Sequence, residues 1–206
     1  MKLFWTVIAL AGFLMSASPA RAVEEPQWTL VYSHGPFEIR DYAPTVVAET
    51  EVSGERGAAI NAGFRRLARF IFGGNEPNRS IAMTAPVAQR REGERIAMTA
   101  PVAQSQSEGA WIVTFYMPPG SRLDTMPRPL DAAITLREQP ARRIAVLRFS
   151  GLATQANIDA HVESLRSHIA AHGEQAVGAV TYAFYNPPWT LPWARRNEVM
   201  LELRIP

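Results

Sequence analysis

The chain of 206 residues contains no cysteine. Disulfide bonds therefore contribute nothing to its stability, and metal sites built on thiolates are excluded. Three common catalytic signatures are also absent from the sequence: the G-x-S-x-G elbow, the P-loop and the dinucleotide-binding G-x-G-x-x-G. No pair of residues stands out as a general acid and base. We therefore expect a protein that is not an enzyme and has no catalytic residues.

Long hydrophobic runs are scarce as well, and the one that is present lies at the N-terminus. Leu3–Met15 suits the h-region of an export signal and is short for a membrane span. The Ala-Arg-Ala tripeptide at 20–22 has the small-x-small pattern of a cleavage site. We predict a signal peptide over residues 1–22, cleavage after Ala22, and one periplasmic or secreted domain over residues 23–206. After cleavage we expect no stable membrane insertion.

Lysine occurs only at position 2, so every other basic side chain is an arginine. Removing Lys2 and Arg21 with the signal leaves 19 of the 21 basic residues, against 19 acidic ones. Such a balanced chain lacks the basic excess that is typical of nucleic-acid-binding domains. We therefore predict no nucleic-acid partner.

Two apolar stripes with the same spacing lie 98 positions apart. Each has members at i, i+4, i+7 and i+11, which form one face of a helix. The strands predicted before them also correspond, so the pattern indicates a ββαββ unit used twice. Two small half-sheets bury one face each by closing on each other, which predicts an α+β fold with a barrel-like core. The stripes are Ile60, Phe64, Leu67 and Ile71, and Ile158, Val162, Leu165 and Ile169.

A second repeat is exact, since the nine residues Ile81–Gln89 recur as Ile96–Gln104. The nine letters include no acid, base, thiol or histidine, so the repeat does not resemble a catalytic motif. It predicts two short strands joined by the polar turn Arg90–Arg95. Pro86 and Pro101 cannot donate to a ladder, so each belongs at an edge, a bulge or a strand end.

Several segments together resemble the SOUL family of haem-binding proteins. They are MTAPV after a helix ending in Gly-Gly, FEIRDYAP at 37–44, FSG at 149–151, YNPP at 185–188 and RRNEV at 195–199. The resemblance runs from about Trp28 to the C-terminus and implies a distorted eight-stranded antiparallel barrel flanked by two helices. It also implies non-covalent binding of haem or a related tetrapyrrole.

Some family sites do not carry over residue by residue. Asp41 stands where some members have a proposed axial histidine directly after E-I-R. Other members use lysines near the positions of Phe70 and Thr190, and here Arg69 or Arg195 would have to replace them. We therefore expect binding that is mainly hydrophobic, with no strong axial ligand and no separate metal site.

A haem site needs an apolar slot, cations at its rim and, optionally, an axial ligand. The first helix face and the proline-stiffened loop after residue 186 offer such groups, and an exposed imidazole near residue 34 could reach iron. The same helix face is also typical of core packing, the tryptophans could pin the loop to the barrel, and the histidine could be a turn residue. The candidates are Phe64, Leu67, Ala68, Arg69, Ile71, Trp189, Trp193, Arg195, Arg196 and His34.

Two further sets of side chains favour simpler interpretations. His161, His168 and His172 share the second predicted helix, but His168 and His172 lack the intervening Glu of a zinc protease motif, so we expect solvated histidines. Met83 and Met98 are expected to pack in the core. An alternative function is a periplasmic protein-interaction module in which haem binding is incidental, with a protein partner that the sequence leaves unknown.

Overall fold

Two helices and eleven strands form the part of the chain that the structure, a computed structural model, describes: residues 24–76, 93–107, 109–186 and 189–205. The helices are α1 (Arg56–Ile71) and α2 (Gln155–Ala171). The strands are β1 (Trp28–His34), β2 (Phe37–Tyr42), β3 (Thr45–Ser53), β4 (Asn75–Glu76), β5 (Val102–Ser107), β6 (Ala110–Tyr116), β7 (Arg128–Pro129), β8 (Ile134–Gln139), β9 (Arg142–Phe149), β10 (Ala176–Phe184) and β11 (Asn197–Leu203).

Nine of these strands form one antiparallel sheet in the order β1-β2-β9-β11-β10-β5-β6-β3-β8, and β4 pairs with β7 separately. Without β1, the order is symmetric about the β10–β5 pair. The first strand of each unit crosses to the other half, since β2 pairs with β9 and β8 pairs with β3. The predicted α+β fold with a barrel-like sheet and two helices is confirmed. The ninth strand is β1, which lies outside the duplicated unit.

Each helix packs on one half of the sheet, α1 against β3 and β6 and α2 against β9 and β11. Leu67 in α1 and Leu165 in α2, 98 positions apart, are both fully buried. Gly63 permits the close approach of α1, because a Cβ there would lie 2.5 Å from a methyl group of Val113. The helix faces therefore form two matching cores.

Local signals account for the helix ends. The hydroxyl of Thr154 accepts a hydrogen bond from the backbone N–H of Asn157 and caps α2. The chain leaves α2 through His172 and then Gly173, which has a φ of +71°. Such a left-handed residue satisfies the last carbonyls of the helix at little steric cost for glycine.

The exact repeat is only partly described. In the second copy, Pro101 directly precedes β5, so it lies at a strand end as predicted. Met98 is 45% exposed, so the prediction that it packs in the core is wrong. The first copy with Met83, residues 90–92 of the predicted turn and the predicted signal peptide lie outside the described residues.

Candidate functional site

The two helices pack on the strand pairs β3–β6 and β9–β11 and leave the helix side of the central strands β5 and β10 only partly covered. Val102 of β5 and Tyr182 and Phe184 of β10 are half-buried there. Phe184 pairs with Val102, and Val102 pairs with Phe115 of β6, so these side chains form a continuous apolar floor. Phe64 of α1 stands edge-on to Phe115, with ring centroids 5.4 Å apart. We call this region the interhelix groove.

The groove exists because the two duplicated helices do not pack equally. Ile158 of α2 is fully buried, whereas its counterpart Ile60 in α1 is only half-buried. Phe64 is 38% exposed, whereas its counterpart Val162 is half-buried against the core of α2. In the N-terminal half of α1, the small residues Ala59 and Gly63 face the sheet instead, so Ile60 and Phe64 lie to the side of the buried face.

Arg56, in the first turn of α1, reaches into the interhelix groove. Its guanidinium carbon lies 5.6 Å from the ring centroid of Tyr182 and 5.8 Å from those of Trp111 and Phe184. Its two hydrogen bonds are long, 3.4 Å to the carbonyl of Ala153 and 3.5 Å to a side-chain oxygen of Gln104. Arg56 thus links α1, the floor and the segment before α2.

The charge of Arg56 is poorly compensated. Its Nε is buried without a hydrogen-bond partner, and no carboxylate of the described residues forms an ion pair with it. Burial lowers the pKa of Arg56, and electrostatic interactions with Tyr182 and Asp159 only partly oppose this shift. Because a buried charge normally has a counter-charge, an anionic group would fit here.

Arg56 is not among the predicted site residues, although the sequence does contain a signal for it. A cation in the first turn opposes the helix dipole, and the first turn of α1 contains no acidic residue. A residue whose charge is unfavourable for the helix that contains it often marks a functional position.

A loop with two exposed tryptophans begins directly after the groove floor. Trp189 is 82% exposed and Trp193 is 73% exposed. The loop is nevertheless held in place: Arg195 Nε donates to the carbonyl of Thr190 at 2.8 Å, and the N–H of Gly151 donates to the carbonyl of Pro192 at 2.8 Å. Hydrogen bonds to Thr190 and Pro192 therefore hold the segment that carries the two tryptophans. With Leu152 and Leu191, both more than half exposed, the tryptophans form what we call the tryptophan patch.

The predicted site residues separate into groups. Phe64 lines the interhelix groove, Ala68 is half-buried, and Arg69 is exposed on α1. Leu67 and Ile71 face the sheet and are at most 1% exposed.

His34 is distant from the other candidates. It is exposed at the end of β1, which is four strands from β10 in the sheet order. The structure therefore places Phe64 beside the groove floor, starts the tryptophan loop directly after Phe184, and places His34 on the edge strand β1.

Arg196 belongs to a different cluster, on the sheet face opposite the helices. Arg40 is fully buried and donates two hydrogen bonds to Glu198, at 3.0 and 3.1 Å. The Tyr185 hydroxyl donates to Glu198 at 2.7 Å, and Arg196 Nε donates to it at 3.0 Å. Arg40 also donates to the Tyr42 hydroxyl at 3.1 Å. We call these five residues the Arg40–Glu198 cluster.

Strong electrostatic effects accompany this packing. Burial raises the pKa of Tyr42 to about 12 and also raises the pKa of Tyr185. For Glu198, burial opposes ionisation, but hydrogen bonds and charge from Arg40, with Tyr185 and Arg196, lower its pKa overall. The FEIRDYAP, YNPP and RRNEV segments thus all contribute to one buried ionic network.

The histidines of α2 pack on aromatic rings. His161 stacks on Phe149 at 4.2 Å and His168 stacks on Phe37 at 5.1 Å. Both are half-buried, which differs from the expectation that they are solvated. Their Nδ1 atoms donate to backbone carbonyls one turn earlier, at 2.6 and 2.8 Å. Across the described residues there is no cluster of three or more His, Asp or Glu side chains suited to a metal ion. Neither described helix is long and apolar enough to cross a membrane.

Comparison with known proteins identifies the class. The family model of the SOUL heme-binding protein matches residues 23–202. The chain is 32% identical over 188 residues to heme-binding protein 2 of Homo sapiens, covering 88% of this chain and 87% of that one. It is 27% identical to heme-binding protein 1 of Xenopus laevis, covering 79% and 81%. The chain therefore belongs to the SOUL family.

Solved structures show the same fold at low sequence identity. The C-terminal domain of EcmrR superimposes with a TM-score of 0.55 at 10% identity, covering 82% of this chain and 96% of that domain. A hydrolase from Listeria innocua gives 0.51 at 10% identity, covering 89% and 94%. Similarity at this level establishes the fold alone.

Proposed function

We propose that the chain binds haem or a related tetrapyrrole, without catalysis, in the interhelix groove. The observation that carries the proposal is Arg56, a half-buried cation among aromatic rings that has no carboxylate partner among the described residues. A porphyrin has an apolar ring for the floor and a propionate for this guanidinium. The SOUL family match and the relatives named heme-binding proteins support the ligand class.

Binding in this groove would be mainly hydrophobic. The apolar floor of Val102, Phe115 and Phe184 and the edge of Phe64 would contact the ring, and the tryptophan patch would close one end. None of these side chains is a strong axial ligand for iron. We therefore expect a weak, broad Soret shift on binding and not a sharp six-coordinate spectrum.

The test is a haem titration of the protein from Val23 onward, followed by absorbance and tryptophan fluorescence. We expect saturable one-to-one binding that Arg56→Gln weakens about 10- to 100-fold, because a charge-assisted hydrogen bond is lost. Arg65→Gln is the matched control, since Arg65 is exposed on the same helix. Haem dimethyl ester should bind the unaltered protein and Arg56→Gln equally. Linear, non-saturating quenching would contradict the proposal.

A second candidate function is a protein-interaction module, which the exposed tryptophan patch favours. Large exposed apolar patches are typical of interaction sites. Trp189→Ala and Trp193→Ala distinguish the two functions. If both variants weaken haem binding about tenfold or more, the patch closes the haem site. If haem binding survives both, the patch serves a protein partner and haem uses the groove alone or binds incidentally.

We further propose that the chain is exported and cleaved after Ala22. The support is the sequence pattern at residues 1–22. N-terminal sequencing of the protein purified from a periplasmic fraction should begin at Val23. A chain that retains Met1 in the membrane fraction would indicate an uncleaved anchor.

A further inference from the structure

A cavity of about 150 Å³ lies on the sheet face opposite the helices, away from the interhelix groove. The sheet curls there so far that Tyr116 of β6 and Arg142 of β9, which are four strands apart, line the same space. The Gln139–Arg142 hydrogen bond, at 2.8 Å, closes the hairpin between β8 and β9 beside it. The cavity is thus enclosed by the curled sheet itself.

A bulge in β10 opens this cavity to solvent. Val177 pairs with Glu202 and Thr181 pairs with Met200, so three residues of β10 lie opposite one residue of β11. Gly178 has a φ of +72°, and the pairing of β10 with β5 starts only at Thr181. Exposed Gly178 and Ala179 form the mouth. Bulges of this kind commonly redirect side chains at sites.

The cavity wall is polar and has unused hydrogen-bonding capacity. Arg142 Nε is buried with no partner among the described residues. The nearest carboxylate, Glu202, is 3.6 Å from Arg142, beyond hydrogen-bond distance, and 44% of its side chain is exposed. The hydroxyl residues Ser105 and Thr181 face each other across the β5–β10 pair. Burial raises the pKa of Tyr116, and the facing Arg142 opposes that shift.

We propose that this cavity is a second binding site, for a small organic carboxylate. The carboxylate would accept hydrogen bonds from Arg142 and from the hydroxyls of Ser105 and Thr181, and would displace the distant Glu202 toward solvent. Ile144 and Met200 supply an apolar wall for the carbon chain. Guanidinium groups bind carboxylates well because their geometry allows two parallel hydrogen bonds.

The volume limits the ligand to a small molecule. One water needs about 10–15 Å³ of such space, so a cavity of about 150 Å³ holds a molecule of at most about ten non-hydrogen atoms. Porphyrins are far too large, so this site is independent of the proposed haem function. A carboxylate of two to four carbons fits both the size and the polar wall.

The experiment is a titration of the ¹⁵N-labelled protein with sodium acetate and sodium propionate, at constant ionic strength against sodium chloride. We expect saturable amide shifts at Gly178, Thr181 and Ser105, and a shift of the Arg142 Nε–H signal, with acetate and propionate only. Arg142→Gln should abolish these shifts. Arg143→Gln is the matched control, because it removes the neighbouring charge, which pairs with Asp41 at 2.8 Å.

Two further variants keep the result interpretable if Arg142→Gln unfolds. Thr181→Val removes one hydroxyl with little change of shape and should weaken acetate binding several-fold. Glu202→Gln removes the competing carboxylate and should strengthen binding several-fold. Equal shifts with chloride, no saturation with acetate, or unchanged binding in both variants would overturn the proposal.

Discussion

Arg40 and Arg56 show how differently this fold treats two buried cations. Arg40 is fully buried, with two hydrogen bonds to Glu198 and the ring of Trp28 at 4.4 Å from its guanidinium carbon. Arg56 is half-buried, with two long hydrogen bonds to neutral oxygens. A charge that serves only the fold is normally given its partner within the fold. The contrast therefore separates a structural arginine from one that is available to a ligand.

The segments that resemble the SOUL family lie away from the interhelix groove. The segments around Arg40, Tyr185 and Glu198 carry the family resemblance, yet they meet in a buried network on the face opposite the interhelix groove. Arg196 is held there by Glu198 and by Glu25, at 2.8 Å, and stacks over Tyr185. These residues stabilise the curled sheet, and Arg56, which no motif includes, lies where a ligand could reach it.

The largest effect is expected from breaking the Arg40–Glu198 pair. Glu198→Ala leaves Arg40 buried with Glu38, at 2.7 Å, as its close counter-charge, which should lower the free energy of unfolding by up to about 3–5 kcal/mol. Urea denaturation followed by circular dichroism measures this loss. Glu202→Ala is the control on the same face of the same strand. Its side chain is 44% exposed, so its loss should stay below about 1 kcal/mol. Equal losses would show that the cluster contributes no special stability.

Acid should weaken the Arg40–Glu198 cluster. The folded pKa of Glu198 is lowered from 4.5, its value in the unfolded chain. Its contribution to stability is therefore complete above that value and is lost as the pH falls through the folded pKa. We expect the free energy of unfolding to drop less between pH 5 and strongly acidic solution in Glu198→Gln than in the unaltered protein. Parallel pH profiles of the two proteins would contradict this assignment.

Sequence periodicity sufficed for the duplicated unit because the core faces follow local rules. Leu67 and Leu165, like Ile71 and Ile169, repeat at an offset of 98 and are buried in matching positions. Sequence periodicity could not predict the exchange of β2 and β8 between the halves, because strand pairing over such separations depends on tertiary packing. The same limit applies to Ile60 and Ile158, which have identical spacing but different burial.

The candidate site was less predictable than the fold. Phe64 and the two tryptophans of the loop are exposed, whereas the sequence left open whether they pack in the protein or line a site. Leu67 and Ile71 share the stripe of Phe64, and only the face that α1 turns toward the sheet, which includes Gly63, distinguishes them. Arg56 lies four residues before the stripe, so its place among the rings of Trp111 and Tyr182 depends on strands far away in sequence.

The smallest effect on stability is expected at Arg56. Arg56→Met removes a half-buried charge that has only weak partners and keeps an apolar side chain of similar length against the three aromatic rings. Because the desolvation cost of the charge disappears with its two long hydrogen bonds, the free energy of unfolding should change by less than about 1 kcal/mol. Arg40→Met, in contrast, should lose several kcal/mol because the buried Glu198 then loses the two hydrogen bonds and the buried charge of Arg40. Urea denaturation of both variants, with a haem titration of Arg56→Met, measures the contrast. A loss at Arg56 as large as that at Arg40 would mean that Arg56 stabilises the fold and is not held available for an anionic ligand.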